Sequence, residues 1–115
     1  MANHKYHGDW RYFENPDGGN DVFTQDDTMK LRIPENGNVD PNTSSHKGNK
    51  VSGKARNNGV SLSRIGSGNT RTLEGMTMFE IPLSSGDVMA VISGRFRDVG
   101  RDLVQQEGDW VIVKP

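Results

Sequence analysis

Arg64 is the residue best suited to binding chemistry, because the turns around it direct its side chain toward the apolar face of a sheet. A two-residue turn at Asn58-Gly59 sets Arg64 opposite Gly53. A second turn at Gly68-Asn69 sets Arg64 opposite Leu73. A guanidinium on that face needs an anion or several hydrogen-bond acceptors, since an unpaired buried charge is very costly. We therefore expect Arg64 either to bind an anion or to keep its charge at the rim, near water or an acidic residue.

Two interpretations of Arg64 are open. Arg64 could anchor the acidic group of a small ligand or carbohydrate held inside the fold. Alternatively, it lies at the rim, where its stem reaches water or its guanidinium pairs with Glu14 or Asp109. If the interior binds a ligand, the candidate ligand-binding residues are Arg64, Thr77, Trp10 and Tyr12.

A second surface of interest consists of apolar side chains on the polar side of the same sheet. If residues 70–97 form one hairpin, its solvent face carries, with Ile65 nearby, Met76, Met78, Met89 and Val91. Contiguous apolar side chains there suggest a subunit interface, a site for another protein, or cover by the polar segment 34–50. We predict self-association through this face, and hence a homo-oligomer.

The sequence predicts neither a metal site nor a cofactor. His4, His7 and Asp9 lack a third ligand nearby, and the aspartates between residues 17 and 27 are spaced as turn formers rather than as an EF-hand. The chain has no cysteine, which excludes disulfides, thiolate metal sites and cysteine nucleophiles.

The residues expected of an enzyme are also missing. There is no Gly-x-Ser-x-Gly, no phosphate-binding Gly-rich loop and no histidine paired with a nucleophile. Glu74 and Glu80 lie six residues apart, too far along a strand to act as a close acid–base pair, and Glu74 is opposite Arg95.

We predict a non-enzymatic β-barrel that binds a small ligand or carbohydrate. The alternative is a protein-interaction module, such as an inhibitor or assembly subunit, that acts through Met76, Met78 and Met89 or through residues 34–50. A third hypothesis is a hydrolase or isomerase that uses the interior.

Charge is unevenly distributed, although the net charge is only −1. Residues 41–73 contain six basic residues and no acidic ones, but also no aromatic residue on which nucleic-acid bases could stack. We expect this segment to be a solvated face and expect no nucleic-acid partner. No apolar run is long enough for a membrane span and the N-terminus lacks a signal peptide, so we expect no membrane association and a cytoplasmic location.

The element that positions these residues is the predicted hairpin 70–97, with its turn at residues 84–85. Its pairing places Glu74 opposite Arg95 on the outer face. On the core face it pairs Leu73 with Phe96, Thr77 with Ile92, Phe79 with Ala90 and Ile81 with Val88. The alternation predicts that Phe79 and Ile92 are both buried.

The rest of the chain consists of short strand candidates separated by turn residues, as expected from 14 glycines in 115 residues. We predict one all-β domain over residues 1–115, an antiparallel up-and-down meander of about seven or eight strands that closes into a barrel, with a β-sandwich as the alternative. Residues 1–7 are expected to be mobile and 34–50 to be a long polar loop. Residues 98–107 have room for one or two helical turns before a last strand at 110–114.

The motif Gly8-Asp9-Trp10, at the start of the first strand, resembles the Gly-x-Trp signature of the calycin superfamily, the lipocalins and avidins. The resemblance covers the meander layout and these three residues, and Gly108-Asp109-Trp110 repeats the motif before the last strand. It implies a small ligand-binding barrel in which Trp10 plugs one end. It also implies a basic residue over that ring, which would be Arg95, Arg97 or Lys114. Biotin binding is not implied, because the avidins' ligand-contacting aromatic residues have no counterpart here.

Overall fold

The computed structural model describes residues 2–100 and 103–114, in which every regular element is a β-strand. The strands are β1 (Gly8–Pro16), β2 (Thr24–Leu31), β3 (Asn38–Val39), β4 (Ser45–His46), β5 (Asn49–Arg56), β6 (Gly59–Ile65), β7 (Thr70–Pro82), β8 (Val88–Gly100) and β9 (Leu103–Lys114). These residues include no helix with the length and apolar character needed to cross a membrane.

The strands form one antiparallel sheet that closes on itself. The order is β3-β5-β4-β2-β1-β9-β8-β7-β6, and β6 also pairs with β5. Eight strands therefore complete a barrel. β3 is a short ninth strand, which pairs with the same edge of β5 as β4 does. Closure pairs backbone groups that an open sheet would leave at its edges. The prediction of an antiparallel all-β meander closing into a barrel is confirmed, and the sandwich alternative is wrong.

The long hairpin of β7 and β8 has the predicted register only in the half that is farther from its turn. The predicted pairs hold for residues 73–77 of β7. The register then shifts at Met78, which acts as the extra residue of a β-bulge, so that Phe79 lies opposite Val91. The predicted burial of Phe79 is therefore wrong, since its side chain is 50% exposed, whereas Ile92 is buried as predicted.

The two turns beside Arg64 each lie two residues from their predicted register. The chain turns at residues 57–58, so Arg64 lies opposite Val51 of β5. On its other side, Arg64 lies opposite Arg71 rather than Leu73. A shift of two residues leaves every side chain on the same face, because side chains alternate along a strand. Arg64 faces inward as predicted, but its neighbours differ.

Apolar side chains fill the interior of the barrel. The largest fully buried ones are Trp10, Trp110, Tyr6, Tyr12, Phe96, Met29, Leu31, Ile33, Leu62, Leu73, Ile92 and Ile112. Trp110 occupies the space beside Gly75, where an added Cβ would lie 2.6 Å from its Cζ2 atom. The Nε1 of Trp110 donates to the carbonyl of Arg95 at 3.0 Å. The absence of a side chain at Gly75 therefore lets the indole ring enter the core.

Three segments of polar composition pair with the barrel through their backbones. Residues 34–50 contain β3 and β4 rather than one continuous loop, and the side chains of Val39 and His46 are buried. Residues 2–7 lie against the barrel, with Tyr6 fully buried. Residues 98–100 and 103–107 continue β8 and β9 instead of forming a helical turn, while residues 101–102 lie outside the described residues. Backbone pairing, which hydropathy does not report, organises all three segments.

Candidate functional site

Two arginines enter the same end of the barrel from neighbouring strands. Arg64 on β6 and Arg71 on β7 lie opposite each other and face inward. Asp98 on β8 lies opposite Arg71. We call this end, where β1 finishes and β9 begins, the upper mouth. The other end, which holds the N-terminal residues and the β7–β8 turn, is the lower end.

Arg71 is fully engaged with partners from two strands, β1 and β8. Its Nε and Nη2 atoms donate to the two carboxylate oxygens of Asp98 at 2.6 and 2.8 Å. Its Nη1 donates to the carboxylate of Glu14 at 2.5 Å and to the hydroxyl of Tyr12 at 3.1 Å. Its guanidinium carbon lies 4.0 Å from the centre of the Phe96 ring. Burial opposes its charge, but the acidic partners outweigh burial and raise the pKa of Arg71. It is a structural cation.

Arg64 has far fewer partners. Its Nη1 lies 2.8 Å from the Nδ1 of His46. Because a guanidinium only donates, Nδ1 accepts, and the ring proton of neutral His46 is then on Nε2. That Nε2 is buried without a hydrogen-bond partner, and Arg64 forms no ion pair within residues 2–100 and 103–114. Among the described residues, Arg64 therefore forms no ion pair, and the Nε2 proton of His46 has no acceptor.

His46 is held in its neutral form by its surroundings. Only 1% of the residue is exposed, and its ring centre lies 4.3 Å from that of Tyr12. Burial, followed by the positive charge of Arg64, lowers the pKa of His46 from 6.5 to about 4. The ring is positioned by the tight turn between β4 and β5, in which Lys47 and Gly48 both have positive φ.

The four predicted ligand-binding residues lie in two separate places. Tyr12 and Arg64 are at the upper mouth. Trp10 and Thr77 lie toward the lower end, where both contact Tyr6. The Nε1 of Trp10 donates to the carbonyl of Tyr6 at 3.0 Å, and the hydroxyl of Thr77 hydrogen-bonds to the hydroxyl of Tyr6. Four clefts in the described part of the chain are open surface grooves, and none of these four joins the predicted residues around a common interior space.

Trp10 is fully buried. Its ring packs edge-on against Tyr6, with ring centres 6.2 Å apart. Lys114 lies at the lower end and donates to a backbone carbonyl of the N-terminal segment at 2.9 Å. Arg95 and Arg97 instead form ion pairs with acidic residues on the outer face. Lys114 therefore lies at the same end as Trp10, whereas Arg95 and Arg97 lie on the outer face.

The outer side of β1, β9, β8 and β7 carries two rows in cross-strand register, in each of which three of the four side chains are apolar. One row consists of Phe13, Val111, Ser93 and Met76. The next row toward the lower end consists of Arg11, Val113, Val91 and Phe79, and Met89 lies opposite Ile81 below it. We define the apolar sheet face as Phe13, Met76, Met78, Phe79, Ile81, Met89, Val91, Val111 and Val113.

The bulge at Met78 completes this face. It directs Phe79 outward, next to Val91, and leaves Met78 itself 67% exposed. The four predicted interface residues all lie on the apolar sheet face. Ile65 does not, because it lies opposite Thr70 at the upper end of β6.

A row of polar and charged side chains borders the apolar sheet face on its upper side. In order across the strands, the row is Asn15, Asp109, Arg95 and Glu74. Arg95 donates to Asp109 at 3.0 Å and to Asp17 at 2.5 and 2.9 Å. A shallow groove between this row and Met76 has Gly75 and Gly94 in its floor.

The two histidines near the N-terminus accept hydrogen bonds from backbone N–H groups. The Nδ1 atoms of His4 and His7 accept from the backbone N–H groups of Tyr6 and Ile33 at 3.1 and 2.9 Å. In the part of the chain that the structure describes, no three His, Asp or Glu side chains are grouped to hold a metal ion.

Sequence reasoning missed His46 and Arg71 as members of the upper mouth. Arg71 lies two positions before Leu73, so strand alternation alone assigns it to the inner face. The signal for His46 was the Lys47-Gly48 pair, which is typical of a two-residue turn and marks His46 as a strand residue.

These features define a small antiparallel β-barrel with a packed interior, a polar upper mouth and an apolar outer face. No protein-family model matches the chain, and a search of curated proteins finds no significant match.

Proposed function

We propose that this protein is a non-enzymatic protein-interaction module that binds a protein partner through the apolar sheet face. The observation that supports this most is the cross-strand alignment of Phe79, Val91 and Val113 on the outside of the barrel. A soluble barrel that acts alone has polar side chains on its outer face, so rows of apolar ones indicate a surface that another protein covers.

The chemical makeup of the face supports the same proposal. It contains three methionines, whose flexible side chains adapt to a partner, and two phenylalanines, which supply large rigid contact areas. Met76 and Met78 are 64% and 67% exposed. The charged row above the face supplies the polar rim that protein interfaces usually have.

Contact through the face is favoured over addition of a strand to the edge of β7. β6 follows β7 only as far as Met76, so residues 79–82 pair with β8 alone. The bulge at Met78 twists this edge, and Pro82 has no N–H group to donate. Both features discourage edge pairing. A partner is therefore expected to pack on the side chains of the hairpin.

Site-specific photo-crosslinking tests the proposal. A benzophenone amino acid replaces Phe79 in the full chain, which is irradiated in living cells that produce it. The matched control carries the same amino acid at Lys54, an exposed position on β5 away from the face. We expect a discrete adduct from position 79, absent at position 54 and abolished by Val91→Glu in the same chain. Equal labelling at both positions, or none at position 79, would contradict the proposal.

A second candidate function is the binding of a small anionic ligand at the upper mouth. It is supported by Arg64, whose one hydrogen bond within residues 2–100 and 103–114, to His46, leaves most of its donors for an acidic sugar or a carboxylate. The resemblance to calycin barrels implies a ligand-binding barrel, and it therefore supports this second candidate function. The test is an NMR titration with D-glucuronate, in which we expect shifts at the His46 ring and the Arg64 side chain that Arg64→Gln removes. No shift at about 10 mM would contradict it.

A further inference from the structure

We propose that the protein partner is a second copy of this chain, packed sheet against sheet about a two-fold axis that runs parallel to the strands between β8 and β9. This inference rests on the proposed function, since it uses the same apolar sheet face. It adds the identity of the partner and the arrangement of the two copies. Both follow from the order of the side chains across the four strands of the face.

The charged border row is complementary to its own reverse. Across β1, β9, β8 and β7 it reads Asn15, Asp109, Arg95 and Glu74. A two-fold axis parallel to the strands, placed between β9 and β8, reverses that order on the facing sheet. Asp109 then lies opposite the partner subunit's Arg95, and Arg95 lies opposite the partner subunit's Asp109. Two ion pairs of opposite charge therefore form at once, as a self-complementary interface requires.

The same rotation matches the apolar rows. Val113 lies opposite the partner's Val91, and Phe13 lies opposite the partner's Met76, a sulfur–aromatic contact. Arg11 lies opposite the partner's Phe79, where a guanidinium can stack on the ring. Each row therefore meets a chemically suitable row. Two sheets packed face to face with nearly aligned strands are a common arrangement in β proteins.

A two-fold axis across the strands is disfavoured by the same residues. Such an axis keeps the strand order and exchanges the upper and lower rows of the face. Asp109 and Arg95 would then lie against the row that contains Ile81 and Met89, and neither of these two side chains offers a hydrogen bond to a charge. Burying charged groups against apolar side chains is costly. The order of charges therefore selects the axis parallel to the strands.

Two charge-reversal variants test the arrangement. In Arg95→Glu, position 95 and Asp109 are both acidic, so two copies repel each other across the axis. In Asp109→Lys, position 109 and Arg95 are both basic, with the same result. One copy of each variant, however, restores both opposite-charge pairs. The measurement is molar mass by size-exclusion chromatography with light scattering, on each variant alone and on an equimolar mixture, with wild type and Lys54→Glu as references.

We expect wild type and Lys54→Glu to have twice the mass of the chain. Each interface variant alone should show a dimer dissociation constant raised about tenfold or more, and the mixture should recover the wild-type dimer. Because Arg95 also pairs with Asp17 and Asp109 within one chain, circular dichroism of each variant checks folding. A folded pair that does not recover in the mixture would overturn the two-fold arrangement.

The results separate this inference from the proposed function. A wild-type monomer at about 100 µM would overturn the second copy as partner. If the benzophenone at position 79 then yields an adduct with a different polypeptide, the protein-interaction module stands and only its partner changes. If position 79 yields no adduct and the wild type is a monomer, both proposals fail.

Discussion

His46 should make the stability of this protein fall steeply between neutral and mildly acidic pH. The residue is 1% exposed, accepts a hydrogen bond from Arg64 at 2.8 Å, and has a buried Nε2 with no partner in the part of the chain that the structure describes. A proton on Nδ1 would remove that hydrogen bond and place a second positive charge beside the guanidinium. The folded state therefore strongly prefers neutral His46.

The size of the effect follows from the pKa. In the unfolded chain the pKa of His46 is about 6.5, and in the fold, burial and then Arg64 lower it to about 4. Above pH 6.5 both states are neutral at this residue, so it adds no pH dependence. Between pH 6.5 and 4 only the unfolded state binds the proton, so stability falls as pH falls. At about 1.4 kcal/mol per pH unit, the total loss is about 3 kcal/mol. Below pH 4 the folded state also binds the proton, and the loss stops.

Urea unfolding at several pH values between 7.5 and 4 measures this loss. The comparison variant is His46→Asn, whose side-chain oxygen can still accept from Arg64 but does not titrate. Carboxylates contribute equally to both curves, so the difference between wild type and variant isolates His46. We expect that difference to change by about 3 kcal/mol in favour of the variant as the pH falls from 6.5 to 4.

His7→Asn is the matched control, because His7 also accepts from a donor but is only partly buried. Its curve should stay closer to that of wild type. A midpoint near 4 for the His46 ring protons in an NMR titration would support the same assignment. If wild type and His46→Asn lose stability in parallel over this range, the neutral buried histidine is wrong.

Three further substitutions test the core and the register. Arg71→Met leaves the carboxylates of Asp98 and Glu14 without their cation, and should lower the free energy of unfolding by about 3–5 kcal/mol in urea titrations; a loss below about 1 kcal/mol would contradict the network. Gly75→Ala drives a methyl group into Trp110, and should lower stability by about 1–3 kcal/mol and change the near-ultraviolet circular dichroism of the ring; an unchanged melting temperature would refute that contact. In the monomer, Phe79→Ala should lower the free energy of unfolding by about 1 kcal/mol, whereas Phe96→Ala should lower it by about 3–5 kcal/mol, because Phe96 is buried and Phe79 is half-exposed. Equal losses would place the bulge at another residue.

Strand alternation determined much of this protein from the sequence alone. Arg64 faces inward, and Met76 lies on the outer face, even though both turns beside Arg64 were placed two residues away from their true register. The error did not change which side chains face inward, because side chains alternate with a period of two residues along a strand. Antiparallel strands with one apolar face also predicted closure into a barrel.

The tertiary structure determined two kinds of feature, namely shifts of one residue in strand register and contacts between residues that lie far apart in the sequence. The bulge at Met78 moved Phe79 from the core face to the outer face, because one extra residue exchanges the two sides of a strand. Arg71 became a buried cation only because β1 and β8 bring Glu14 and Asp98 to it from far along the chain. His46 was buried by backbone pairing within a segment whose composition is polar. Local hydropathy contains no record of such contacts, since they are made by closing the barrel.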